Sequence, residues 1–136
     1  MTYNGVIQRK LALLDTQVQN LRKYLNDVDK DAFVSDWGLR SMAERALQVA
    51  TEIAIDIAER LIALRDAGPV ASAAEAIRKL VQLDILDSEQ PYVEMVRFRN
   101  MIVHEYEEID PELLYELATA KLDDFTRFRA EIDRQE

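Results

Sequence analysis

A chain of 136 residues is long enough to bury one core and too short for two, so a single domain is expected over residues 1–136. Hydrophobic residues make up 49% and charged residues 32%, with only 3 Gly and 3 Pro; the turn residues that many short strands require are missing, which points to an all-α protein. The lack of cysteine excludes disulfides and thiolate metal sites, and a formal net charge of -9 argues against general affinity for nucleic acid, which comes from Lys and Arg neutralising phosphates.

Any RNA contact must therefore be local, and an acidic surface suits docking onto a basic partner equally well. No apolar run approaches the roughly 18 to 20 residues that span a bilayer, and the stretch from Met1 to Leu14 alternates polar and apolar residues where a secretory segment would be continuous. A cytoplasmic protein without a membrane contact is expected.

The apolar positions Ile7, Leu11, Leu14, Val18, Leu21, Leu25 and Val28 alternate steps of four and three, which predicts a first helix of about six turns. A break near Asp29 to Asp36 follows. The next apolar face runs from Leu39 to Ile62 and is expected to stop at Gly68-Pro69. Ser72-Ala-Ala-Glu75 reads as a capping box in which the Ser72 hydroxyl and Glu75 carboxylate satisfy each other's backbone N–H groups, opening a short third helix to about Leu83.

A fourth helix is expected after Ser88, with Pro91 in its first turn. Asp110-Pro111-Glu112 starts a fifth, with a core stripe of Leu114, Leu117, Leu122, Phe125, Phe128 and Ile132. The expected architecture is an antiparallel bundle of four main helices plus the short one.

On an ideal helix over residues 93–106, Met95, Val96, Phe98, Ile102 and Val103 form one apolar arc, and Arg99 falls inside it. A guanidinium is costly to bury there unless it is paired or faces a cleft. Its bland reading is a snorkelling side chain or a structural salt bridge. His104, the only histidine, shares a face with Asn100 four residues earlier. Its bland reading is a helix cap, yet it is also the side chain whose unperturbed pKa suits proton transfer near neutrality.

Arg99 and His104 lie about 140° apart around a regular helix, and would meet only if the helix distorts near Val103 or a second copy supplies one of them. Tyr106 returns to within about 20° of Arg99 if the helix continues. Arginine, histidine and tyrosine together suit metal-independent phosphodiester chemistry: the histidine moves the proton of a ribose 2′-hydroxyl while the arginine stabilises the phosphate. Glu52 and Asp56, spaced i, i+4, form a solvated or salt-bridged pair on this reading, with no Glu-x-x-His partner to complete a metal site.

The string Arg99-x-x-x-x-His104-x-Tyr106 resembles the Arg-x4-His-x-Tyr signature of HepT-type HEPN proteins. The segment Glu44-Arg45-Ala46-Leu47-Gln48 followed by Asp56-Ile57-Ala58 resembles the same family's second helix, so the likeness covers nearly the whole chain. The resemblance implies a helical homodimer whose signature helices meet at a cleft, so that Arg99 and His104 of both copies form one composite site. It implies a ribonuclease toxin of a type VII toxin–antitoxin pair acting on tRNA or other RNA. It also implies inactivation by an MntA-type nucleotidyltransferase that moves AMP from ATP onto Tyr106.

By residue, the resemblance makes His104 the general base or acid, Arg99 the phosphate binder and Asn100 a supporting hydrogen-bonding group. Tyr106 becomes the modification site, with ATP used by the partner and no cofactor held by this chain. The rival expectations are a non-catalytic subunit that only presents Tyr106 to a nucleotidyltransferase, and a structural dimer whose Arg99 and His104 pair with carboxylates across the interface.

Overall fold

The heptad-like stripe at the N-terminus folds as expected. In a computed structural model that describes residues 5–104 and 109–134, helix α1 runs Gly5–Leu25 and buries Ile7, Leu11, Leu14, Val18, Leu21 and Leu25. The expected break contains a further helix, α2 (Lys30–Val34), capped by the Asp29 side chain accepting from the Ala32 N–H at 2.8 Å. Five residues cannot display a period, but Phe33 near its end is fully buried, and burying such a side chain contributes on the order of 1.5 to 3 kcal/mol.

Helix α3 (Trp37–Leu64) starts under an Asp36 cap on the Leu39 N–H at 3.0 Å. It ends before Gly68. Asp66 takes the left-handed conformation, with φ of 53°, and the Asp66 and Ala67 N–H groups close onto the carbonyls of Ala63 at 3.1 Å and Ile62 at 3.0 Å. This is the arrangement glycine usually completes. Asp84, with φ of 61°, ends α4 (Ala73–Gln82) in the same way, its N–H and that of Ile85 bonding Val81 and Leu80 carbonyls. Aspartate tolerates the left-handed region better than most residues, and a glycine-poor chain uses it as its helix stop.

The capping box forms with one change. The Ser72 hydroxyl accepts from the Glu75 N–H at 3.1 Å as expected, but the Glu75 carboxylate reaches the N–H of Ala71 and not that of Ser72. Helix α5 (Tyr92–His104) begins one residue after Pro91, whose carbonyl accepts from the Met95 N–H at 3.2 Å.

The expected fifth helix is broken into α6 (Pro111–Ala118), opened by the Asp110 cap, and α7 (Asp123–Asp133). The stripe does not announce the break, because Leu114, Ala118 and Leu122 follow one another in steps of four and all three are buried. Thr119 leaves helical geometry at φ -126° and ψ -80°, and its hydroxyl donates to the Tyr115 carbonyl at 2.6 Å. After this reset Leu122, Phe125 and Phe128 are buried, while Leu117 is only half-buried.

Ion pairs fix the order of the arms. Lys10 at the start of α1 meets Asp56 near the end of α3, and Arg22 and Arg129 tie α1 to α7 through Asp123 at 2.6 Å and Asp15 at 3.0 Å. Tyr92 at the start of α5 meets Glu131 near the end of α7. The arms α1, α3, α5 and α7 therefore alternate in direction, an up-down-up-down bundle with α4 bridging α3 and α5. Among the described residues no helix is long and apolar enough to cross a membrane.

Candidate functional site

Helix α5 has two halves in different environments. At its start Tyr92 and Val96 are buried against α3, α4 and α7, around Thr51, Ile77 and Phe128. The Tyr92 ring meets Phe128 edge-on with centroids 5.5 Å apart, and the Arg127 guanidinium lies 5.9 Å over its face. The Tyr92 hydroxyl donates to the buried Glu131 carboxylate, which also accepts from the Asp87 N–H at 2.7 Å and Arg127 Nε at 3.2 Å. Burial, then the Glu131 hydrogen bond, pushes the Tyr92 phenol far above its ordinary range, so it stays a neutral donor. This network anchors the helix.

The second half leaves that cover. Val96 and Val103 lie seven residues apart and so on nearly the same side of the helix, yet Val96 is 3% exposed and Val103 is 47% exposed. Packing on that side ends within two turns. The expectation that Val103 belongs to the core arc is thereby corrected, while Met101 and Ile102 remain partly buried. Asn100 and His104 are exposed. His104 is the last residue of the helix, at its C-terminal end.

Arg99 is half-buried, and its Nε is fully buried without a hydrogen-bond partner. Among the described residues no carboxylate pairs with it, so the intrachain salt-bridge reading has no support there. Such an atom costs about 1 to 3 kcal/mol. The other candidate carboxylates are occupied: Asp56 by Lys10 and by Arg60 at 3.8 Å, Glu52 by the Gln48 amide at 3.2 Å.

The helix runs unbroken from Tyr92 to His104, so one chain does not bring Arg99 and His104 to one spot. Tyr106 lies outside the described residues. Against another side of α5 is an apolar groove of about 410 Å³, floored by Met95, Phe98 and Met101 and closed by Leu113 and Leu117 of α6. Neither Arg99 nor His104 lines it.

A family profile described as Ribonuclease HepT-like matches residues 14–132. The chain belongs to the HepT-like ribonuclease family. It is 30% identical over 112 residues to the tRNA nuclease HepT of Aphanizomenon flos-aquae, covering 81% of this chain and 76% of that protein. It is 26% identical over 129 residues to the mRNA nuclease HepT of Shewanella oneidensis, covering 92% and 94%. The fold superposes on the tri-AMPylated Shewanella oneidensis HEPN toxin solved in complex with MNT antitoxin, with a TM-score of 0.88, 24% identity, and 97% and 99% of the two chains covered. A toxin–antitoxin structure with AMP-PNP gives a TM-score of 0.88 at 23% identity, covering 96% and 99%.

Against this family background, two features of the HepT-like chain had no sequence prediction. Glu131 follows Phe128 by three residues and precedes Ile132, so a charge inside an apolar stripe was its signal, the same one that marks Arg99. The groove had no such signal, because its walls come from α5 and from residues 113–124, which are separate in sequence.

Proposed function

We propose that this protein is the ribonuclease toxin of a toxin–antitoxin pair, acting in the cytoplasm as a homodimer whose α5 helices face each other. The observation that carries this reading is the buried, unpartnered Nε of Arg99 on the signature helix of a HepT-like chain. A guanidinium with no carboxylate beside it among the described residues is suited to a phosphate that arrives from outside. The exposed Val103 and half-buried Ile102 supply apolar surface for the second copy. With that copy in place, Arg99 of one chain and His104 of the other can face one phosphodiester.

His104 takes the proton of a ribose 2′-hydroxyl, the 2′-oxygen bonds to phosphorus, and the bond to the 5′-oxygen breaks as that oxygen acquires a proton. The products are a 2′,3′-cyclic phosphate and a 5′-hydroxyl. Arg99 stabilises the charge gathering on the non-bridging oxygens, and Asn100 supports it by hydrogen bonding. No metal or cofactor is required by this scheme. The two nuclease relatives, one a tRNA nuclease and one an mRNA nuclease, support RNA as substrate and leave the class of RNA to experiment.

The MNT complex of the Shewanella toxin supports a nucleotidyltransferase partner, and its AMPylated state supports transfer of AMP from ATP to Tyr106. AMP groups beside the site would repel an RNA backbone, as phosphorylation blocks an anion site. The test is cleavage of total RNA by purified protein in EDTA, with and without the partner and ATP, followed by mass spectrometry of the Tyr106 peptide. Cutting that leaves cyclic-phosphate ends, and that disappears as AMP mass is added, is the expected result. Absence of cutting by the unmodified protein, with Tyr106 still modified, would identify a non-catalytic partner of the transferase instead.

A further inference from the structure

Glu94, Arg97, Met101 and His104 are spaced three, four and three residues apart, and so form one row along α5. The first three line the 410 Å³ groove between α5 and α6, and His104 lies one turn past Met101, about 4.5 Å further along the axis. We propose that this groove is a subsite for a nucleobase of the RNA, the base whose ribose offers its 2′-hydroxyl to His104. This deepens, and rests on, the ribonuclease reading.

The dimensions and chemistry of the groove support that occupant. Ligand pockets range over roughly 300 to 1,000 Å³, and 410 Å³ lies near the lower end, where one base with its sugar fits and a folded peptide segment does not. The floor of Phe98, Met95 and Met101 is apolar and soft, suited to the face of a base. The rim mixes donors and acceptors, Lys121 beside Asp124, which a base edge needs and a plain apolar side chain from a partner does not.

Two rim groups are already partnered: Arg97 Nη1 donates to both Glu94 carboxylate oxygens at 2.9 and 3.0 Å, which leaves Lys121, Asp124 and Gln90 to read the base. Burial raises the Asp124 carboxyl above the ordinary aspartate range, with Lys121 the largest opposing influence, and desolvated groups of this kind mark binding clefts. The base would enter beside the helix row, leaving its phosphate outside, where the Arg99 of a second copy can reach it.

The test uses the full-length protein on a pool of oligoribonucleotides randomised at every position, with the base on the 5′ side of each cut read from the cyclic-phosphate ends. Wild type is expected to favour one class of base there. Leu117→Trp, which fills the groove, should slow cleavage of the favoured sequences about tenfold or more and flatten the preference. Lys121→Ala, at an exposed rim position, should shift the preference several-fold at nearly constant thermal stability. If both variants keep the wild-type profile, or wild type shows no preference at that base, the subsite is refuted while the ribonuclease reading stands. Variants that cut normally but lose the second copy or the antitoxin would reassign the groove to a protein partner. A wild-type protein that cuts no RNA removes both readings together.

Discussion

Glu131 on α7 and Arg99 on α5 both place a polar head against the apolar interior, and the bundle treats them in opposite ways. Glu131 is surrounded by donors: the Tyr92 hydroxyl, the Asp87 N–H and the Arg127 guanidinium, with Arg134 4.0 Å away. Arg99 has a buried Nε with nothing to donate to among the described residues. A polar group left unsatisfied costs stability that a satisfied one does not, and on the proposed reading the fold keeps Arg99 for a phosphate. The difference separates the anchoring half of α5 from the working half, and it can be broken at either end.

The largest effect is expected at the working end. His104→Ala and Arg99→Ala should each lower RNA cleavage by on the order of a thousandfold, the range for losing a general base or a preorganised charge on the transition state. Arg99→Met should lose activity equally yet raise the urea midpoint, by about 1 kcal/mol in stability, because an orphan donor is replaced by an apolar chain. An Arg99→Met protein that is clearly less stable than wild type would show that the guanidinium is structural, and the comparison would collapse.

At the anchoring end the signs reverse. Glu131→Ala should destabilise the fold by about 3 kcal/mol, since it strands the Tyr92 hydroxyl and the Asp87 N–H together, while Tyr92→Phe should cost about 1 kcal/mol. Both are read from urea unfolding, and cleavage by the folded fraction should change far less than in the His104 variant. Alkaline pH probes the same contact. Tyr92 ionises far above its unfolded value of 10.0, so above that pH the unfolded chain releases a proton that the native chain retains. The stabilisation is complete below pH 10 and falls as pH rises beyond it; Tyr92→Phe should remove that slope.

These two ends were not equally legible in the sequence. The stripe from Ile7 to Leu25 and the long face of α3 announced themselves because many residues repeat one spacing, and Asp110-Pro111 marked the start of α6 through side-chain and ring chemistry local to three residues. Arg99 stood out as a cation within an apolar arc, and the structure keeps it half-buried, its Nε without a partner among the described residues. Glu131 carried the same signal but lies beyond the break at Thr119, which the apolar spacing did not announce because Leu114, Ala118 and Leu122 continue in steps of four. Helix α2 was hidden because a single buried Phe33 sets no period, and the groove because it is a product of two elements meeting.

Helix ends gave the subtlest departure, and the smallest prediction rests on them. A reader of the sequence waits for glycine to stop α3, finds Gly68, and overshoots, whereas the chain turns at Asp66 with φ of 53°. A left-handed aspartate costs up to about 1 kcal/mol relative to glycine, but glycine also enlarges the conformational freedom lost on folding, by a comparable amount. Asp66→Gly should therefore raise stability by no more than a few tenths of a kcal/mol, whereas Asp66→Val, a β-branched residue in the same geometry, should lower it by about 1 to 2 kcal/mol. Paired urea curves for the two variants measure the opposed signs directly, at an exposed position remote in sequence from α5. If valine is tolerated as well as glycine, the left-handed turn is not what ends α3, and the stop must be assigned to Gly68-Pro69 after all.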